Sequence, residues 1–160
     1  MGLDMYIYTN SKQTCEDALR AMEDDGSEYA AKTKEFYRTR GIAMYWRKQN
    51  AIHQWFVDHV QDGIDDCKEY PVYPEQLVEL RDTCKKVLAA RRRASELLPT
   101  QSGFFFGSTD YDDWYFEGLE YTARAIQLML EHVKEVDAGW SFEHEKDPGW
   151  TVRFTYRSSW

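Results

Sequence analysis

The chain lacks any apolar stretch approaching the roughly 20 residues that a membrane-spanning helix needs. It lacks the basic n-region of a secretory signal: the opening MGLDMYIYTN carries Asp4 instead. Gly2 follows Met1, but N-myristoylation wants Ser or Thr at position 6, and Tyr6 stands there. Cysteine is sparse. Cys15, Cys67 and Cys84 are far apart, odd in number and form no CxxC pair, which reads as free thiols in a reducing compartment. The four histidines, His53, His59, His132 and His144, include no two at three- or four-residue spacing on one helix. No ready metal pair exists, and no metal is expected. The glycine-rich, zinc-binding and nucleophile-elbow motifs GxGxxG, GxxxxGKS/T, HExxH and GxSxG are absent, and no cofactor is expected. Basic charge is in deficit as well. With 20 Lys and Arg against 28 Asp and Glu the net charge is -8, the wrong sign for gripping a nucleic-acid backbone.

What is present suits one soluble domain over residues 1–160, placed in the cytoplasm. Hydrophobic residues make up 42% and aromatics 16%, ample for one core, and 30% charged residues suit a solvated surface. No repeat, low-complexity tract or linker divides the chain.

Residues 2–9 alternate, with Leu3, Met5 and Ile7 on one face and Asp4, Tyr6 and Tyr8 on the other, as in a strand with one buried face. Asn10 or Ser11 is placed to cap a helix running to about Asp25, stopped by Gly26. Residues 27–41 are polar and weakly periodic, and predict a loop or short helix. Residues 42–61 read as one amphipathic helix, with Tyr45, Ile52, Trp55, Phe56, His59 and Val60 on one stripe and Trp46, Asn50, His53 and Val57 beside it. An acidic connector follows over 65–73. Pro74 suits the first turn of a helix carrying Leu77, Leu80, Cys84, Val87 and Leu88 to about Leu98. Its late basic run, Lys85, Lys86, Arg91, Arg92 and Arg93, would complement the negative end of the helix dipole. A third long helix begins at Asp110, with Asp112 and Asp113 in its first turn. Finally Trp140, Phe142 and His144, the turn 146–149, and Trp150, Val152, Phe154 and Tyr156 read as a hairpin. A lone hairpin is marginal in water. The expected fold is therefore α+β: a small antiparallel or mixed sheet, built from the N-terminal strand plus the C-terminal hairpin and packed by about four helices mainly on one face. Trp55, Phe56, Leu80, Ile126 and Met129 are expected in the core.

His53 is the leading candidate for chemistry, because imidazole titrates near neutral pH and serves as a general base. Asn50, one turn away, could orient it, and Trp46 and Arg47 on the same helix could face the stretch GFFFGSTDYDDWYF. That stretch is the most unusual in the chain. Three adjacent phenylalanines between Gly103 and Gly107 cannot all point inward, and Ser108, Thr109 and Asp110 offer N–H groups at a helix start. Catalytic candidates are thus His53 and Asn50, and ligand-binding candidates are Trp46, Arg47, Ser108, Asp110, Tyr111 and Trp114. The acid is clustered too. Asp62, Asp65 and Asp66, and Asp112 and Asp113, are candidates for contacting a partner.

The segments GLDMYIY, AMYWRKQNAIHQWF, LLPTQSGFFFGSTDYDDWYF and the ending SSW resemble a family of small proteins encoded by bacteriophages, prophages and their bacterial hosts. The resemblance covers both ends and the centre but not residues 9–41. It implies a phage-type accessory protein in the bacterial cytoplasm and transfers no chemistry. Two readings follow. One is a protein that binds and inhibits or modulates a bacterial host or defence protein, through acidic surfaces that imitate nucleic acid. The other is a small enzyme or ligand-binding domain for a nucleotide or other anionic metabolite. The binding reading is preferred, since no catalytic signature stands out. A homodimer stays open.

Overall fold

A computed structural model describes residues 2–136 and 152–160, with the side chains of 132 and 134–136 left aside. Strand β1 (Asp4–Thr9) is followed by helices α1 (Lys12–Leu19) and α2 (Glu28–Arg40), strand β2 (Ile42–Arg47), helix α3 (Asn50–His59) and strand β3 (Tyr70–Val72). Helix α4 (Pro74–Ala89), a 3-10 turn (Arg91–Arg93), α5 (Ala94–Leu97), α6 (Asp113–Val136) and strand β4 (Phe154–Ser159) complete the order. The strands form one antiparallel sheet in the order β2-β1-β4-β3. The fold is α+β. Among the described residues no helix is long and apolar enough to cross a membrane.

The N-terminal strand pairs with the C-terminal one along its full length, from Asp4 opposite Ser159 to Thr9 opposite Phe154. Period-two alternation then sorts the side chains. Met5, Ile7, Met44, Trp46, Phe154 and Tyr156 form a buried face with Leu3 beside them, under α3, α4 and α6. Asp4, Tyr6, Tyr45, Arg47 and Arg157 occupy the other face, which is only half covered. There Tyr6 packs on Tyr45 at 5.4 Å between ring centres, and Tyr37 of α2 packs on Tyr45 at 5.7 Å. The five expected core residues, Trp55, Phe56, Leu80, Ile126 and Met129, are all buried.

Six segments differ from the sequence reading. Residues 42–61 are not one helix: β2 comes first, Lys48 then takes a left-handed φ of 53°, and α3 starts at Asn50. Trp46 and Arg47 therefore stand on a strand, not on the helix of Asn50 and His53. The strand hides its period because Ile42, Ala43 and Met44 are all buried beside a register shift. Residues 28–40 form a full helix despite burying no residue. Ser27 caps it by accepting from the Ala30 N–H at 3.1 Å, and Arg38 pairs with Glu16 and Glu35. Gly41 ends it at φ 66°, where a Cβ would come within 2.8 Å of the Thr9 carbonyl. The helix from Pro74 stops at Ala89, so Arg91 to Arg93 follow its last turn instead of riding in it. Arg91 reaches Glu120 at 3.2 Å and covers the Phe116 ring. Helix α6 begins at Asp113; Asp112 is its cap, accepting from the Tyr115 N–H at 3.0 Å, and Asp110 lies outside it. Helix α1 is shorter than expected, and β3 lies inside the expected connector. The expected strand over 140–144 and its turn fall outside the described residues, while Phe154 and Tyr156 are buried as the hairpin reading required.

Candidate functional site

His53 is fully buried on α3. Its Nδ1 lies 2.6 Å from the Tyr156 hydroxyl and its Nε2 3.0 Å from Asp65 Oδ2. A carboxylate only accepts, so Nε2 carries the proton and Nδ1 accepts from the tyrosine. The other Asp65 oxygen accepts from the Trp160 indole N–H at 3.0 Å. Burial holds the His53 pKa below its ordinary value, opposed by Asp65. Burial likewise raises the Tyr156 hydroxyl well above the usual phenol range, with Asp65 adding to it. The Tyr156 ring stacks face to face on Phe56 at 3.9 Å, and Phe106 stands edge-on to the imidazole at 5.3 Å. A tyrosine, a histidine and an aspartate in series have the connectivity of a proton relay. Here both inner members are sealed by packed rings, and the chain of bonds ties α3, β4, the loop before β3 and the C-terminal residue together.

Asn50 is also engaged. Its Nδ2 donates to the carbonyls of Phe106 at 3.0 Å and Ser108 at 2.8 Å, and its Oδ1 accepts from the Gln101 N–H at 2.9 Å. With the bond from Leu3 N–H to the Phe105 carbonyl at 3.0 Å, this pins the triple-phenylalanine loop across the end of the sheet. The loop resolves its crowding by turning Phe106 into the core and leaving Phe104 94% exposed. Both catalytic candidates are thus occupied by contacts that build the fold.

The open site lies elsewhere. A cleft of about 610 Å³ runs between β2, the turn after α1 and the first half of α6. Of the six ligand-binding candidates, it brings together Trp46, Arg47 and Trp114, and adds Gln49, Gly118, Tyr121 and Arg124. Trp46 is buried with its indole N–H donating to Thr122 Oγ1 at 2.8 Å, and Arg47 pairs with Asp4 at 3.0 Å. The Tyr121 hydroxyl accepts from the Tyr45 N–H at 3.2 Å, which satisfies one amide of the edge strand. Burial raises the pKa of that hydroxyl. Gln49 donates from Nε2 to the Trp114 carbonyl at 2.8 Å. Gly118 lies against the Gln49 amide: a Cβ there would sit 2.2 Å from the amide carbon, so the Gln49 side chain would have to move. The glycine costs the helix interior about 0.5–1 kcal/mol relative to alanine.

Ser108 and Asp110 instead border a crevice of about 10 Å³, no larger than a single water needs. Tyr111 accepts from the Thr100 N–H at 3.2 Å and stands edge-on to Tyr115. Of the acidic candidates, Asp65 belongs to the His53 network and Asp66 accepts from Tyr70 and from the Lys68 N–H. Asp62 and Asp113 are exposed. Among the described residues no cluster of three or more His, Cys, Asp or Glu is arranged to hold a metal. Sequence reading missed Gln49, Gly118, Tyr121 and Arg124, which pass for ordinary helix and connector residues. The glycine inside α6 was the one signal, since an isolated helix-interior glycine marks close approach. Compared with protein-family models, curated proteins and solved structures, the chain matches none.

Proposed function

We propose that this chain acts by stoichiometric binding to a protein of the bacterial cytoplasm, inhibiting or modulating it. The observation that carries this reading is Phe104, 94% exposed on a loop whose backbone Asn50 pins on both sides, at Gln101 and at Phe106 and Ser108. A large exposed ring on a pinned loop suits an anchor for a partner's pocket. Support comes from its neighbours. Phe104 contacts Phe105 at 4.7 Å, Phe106 contacts Trp160 at 6.3 Å, and Trp160 is 47% exposed. Exposed Ile64 adjoins Asp65, to which Trp160 is bonded. Aromatic anchors beside Asp62, Asp65 and Asp66, on a chain of net charge -8, suit a partner with an apolar pocket and a basic rim. The bacterial setting and the role against a host or defence protein rest on the resemblance noted from the sequence.

The test is capture from bacterial lysate by the immobilised chain, followed by titration of the captured protein. Wild type should bind one partner at fixed stoichiometry, more weakly as salt rises, and Phe104→Ala should weaken it at least tenfold. Capture unchanged by both Phe104→Ala and Trp160→Ala would overturn the reading. So would catalytic turnover by the purified chain that His53→Ala abolishes without unfolding it.

A further inference from the structure

We propose that the cleft between β2 and α6 binds a nucleobase-type planar nitrogen heterocycle, as a nucleoside rather than a nucleoside polyphosphate. The first argument is shape. Its volume of about 610 Å³ lies within the range of small-molecule sites, and its walls are aromatic. Trp114 forms the lip, 53% exposed and stacked on no other ring among the described residues. Tyr45, Trp46 and Tyr121 line the same space. An uncovered indole face above an aromatic floor is suited to a flat ring, which gains by stacking.

The second argument is Gln49, which lines the cleft and is only 7% exposed. Its Nε2 is committed to the Trp114 carbonyl, which fixes the amide orientation and leaves Oε1 as the available end. Among the described residues that oxygen accepts no hydrogen bond. That oxygen is open to the cleft and placed to accept an N–H, which the amine and imide edges of nucleobases supply. Gly118 lies directly against this amide, so a larger residue there would push the Gln49 side chain out of this position.

The third argument is charge. The rim carries Glu23, Glu117 and Glu120 against Arg47 and Arg124. Arg47 is paired with Asp4, and Glu120 with Arg91. Among the described residues Glu23, Glu117 and Arg124 are left without an ion pair, two carboxylates against one guanidinium, on a chain already at -8. A polyphosphate meets repulsion there, whereas sugar hydroxyls find carboxylate acceptors.

The experiment is equilibrium titration of the purified chain with adenosine, guanosine, cytidine and uridine and their 5′-triphosphates, followed by tryptophan fluorescence and confirmed by calorimetry. At least one nucleoside should saturate a single site, with its triphosphate at least tenfold weaker. Trp114→Ala and Gln49→Leu should each weaken that nucleoside at least tenfold, while Trp114→Ala leaves the melting temperature unchanged. No saturation by any nucleoside at millimolar concentration, a triphosphate binding more tightly, or an unchanged affinity in Trp114→Ala would each overturn the proposal. Phe104→Ala should leave nucleoside binding intact, so loss of protein capture and loss of nucleoside binding are separable results.

Discussion

Around His53 the polar groups pair in a packed interior; around Trp114 they line an open cleft. The histidine has both nitrogens engaged, its tyrosine partner is stacked on Phe56, and the imidazole itself is fully buried with Phe106 edge-on to it. The cleft has an amide oxygen open to it and an indole that packs on no other ring among the described residues. The residue types near His53 are those of catalysis, yet the geometry is that of a structural knot. The residue types in the cleft are bland, yet the geometry is that of a receptor. Composition of a cluster says little about its role until accessibility is known, because chemistry needs a route to the reacting atoms.

The largest expected effect tests that division directly. Phe56→Ala should cost about 3–5 kcal/mol of stability, because it removes a fully buried ring from the stack over Tyr156. Trp114→Ala should cost far less, about 0.5 kcal/mol, because its side chain is 53% exposed and the cap of α6 is made by Asp112. Denaturant unfolding measures both. Equal losses at the two positions would dissolve the contrast between a sealed side and an open one.

Asn50→Ala comes next. Truncation leaves the Phe106 and Ser108 carbonyls and the Gln101 N–H without their partner. A cost of about 1–3 kcal/mol is expected, most of it from the buried Phe106 carbonyl so orphaned. The loop over 101–108 should become the first site of proteolytic cutting. Undiminished protection of that loop would mean that Asn50 does not hold it.

Particular residues show why some of this could be read ahead and some could not. β1 and the β4 residues Phe154 and Tyr156 announce themselves because each has one apolar and one polar face in strict alternation. β2 does not, because three consecutive buried residues, Ile42, Ala43 and Met44, erase the period and let the segment run on into α3. α2 buries nothing, so it has no apolar stripe to detect, and its evidence lies in a capping serine and a terminal glycine. β3 is only three residues long. His53 and Asn50 could be picked out by residue type, but their bonding to Tyr156, Asp65 and the phenylalanine loop spans up to 103 positions and depends on the folded arrangement. The cleft draws on β2, the turn after α1 and α6, and only the sheet register brings those segments together.

Acid should expose the sealed side. His53 is held neutral by burial, so its folded pKa lies below the unfolded value of about 6.5. The unfolded chain therefore binds the extra proton first. The contribution is fully present above the unfolded pKa and is lost as pH falls from there towards the folded one, at no more than about 1.4 kcal/mol per pH unit. Urea midpoints followed from pH 8 to pH 5 should fall more steeply for wild type than for His53→Gln. Parallel curves would show that the histidine is not the titrating group.

The smallest effect is chemical rather than energetic, and it maps the same boundary with a probe. Cys84 sits fully buried on α4, where burial pushes its thiol up to about 12, and Cys15 is buried with its thiol also raised. The reactive species is the thiolate, so both should resist a disulfide reagent in the native protein. Cys67 is only partly covered, two residues from Asp65 at the rim of the His53 network. One thiol of the three should therefore react before unfolding and all three after it. Because Cys67 flanks the mouth of that network, its rate is also a gauge of opening. Tyr156→Phe, which removes the hydroxyl bonded to Nδ1, should speed the Cys67 reaction, whereas Trp114→Ala on the cleft side should leave it unchanged. A Cys67 rate that responds to Trp114→Ala but not to Tyr156→Phe would place the flexible region on the wrong side of the molecule for this account.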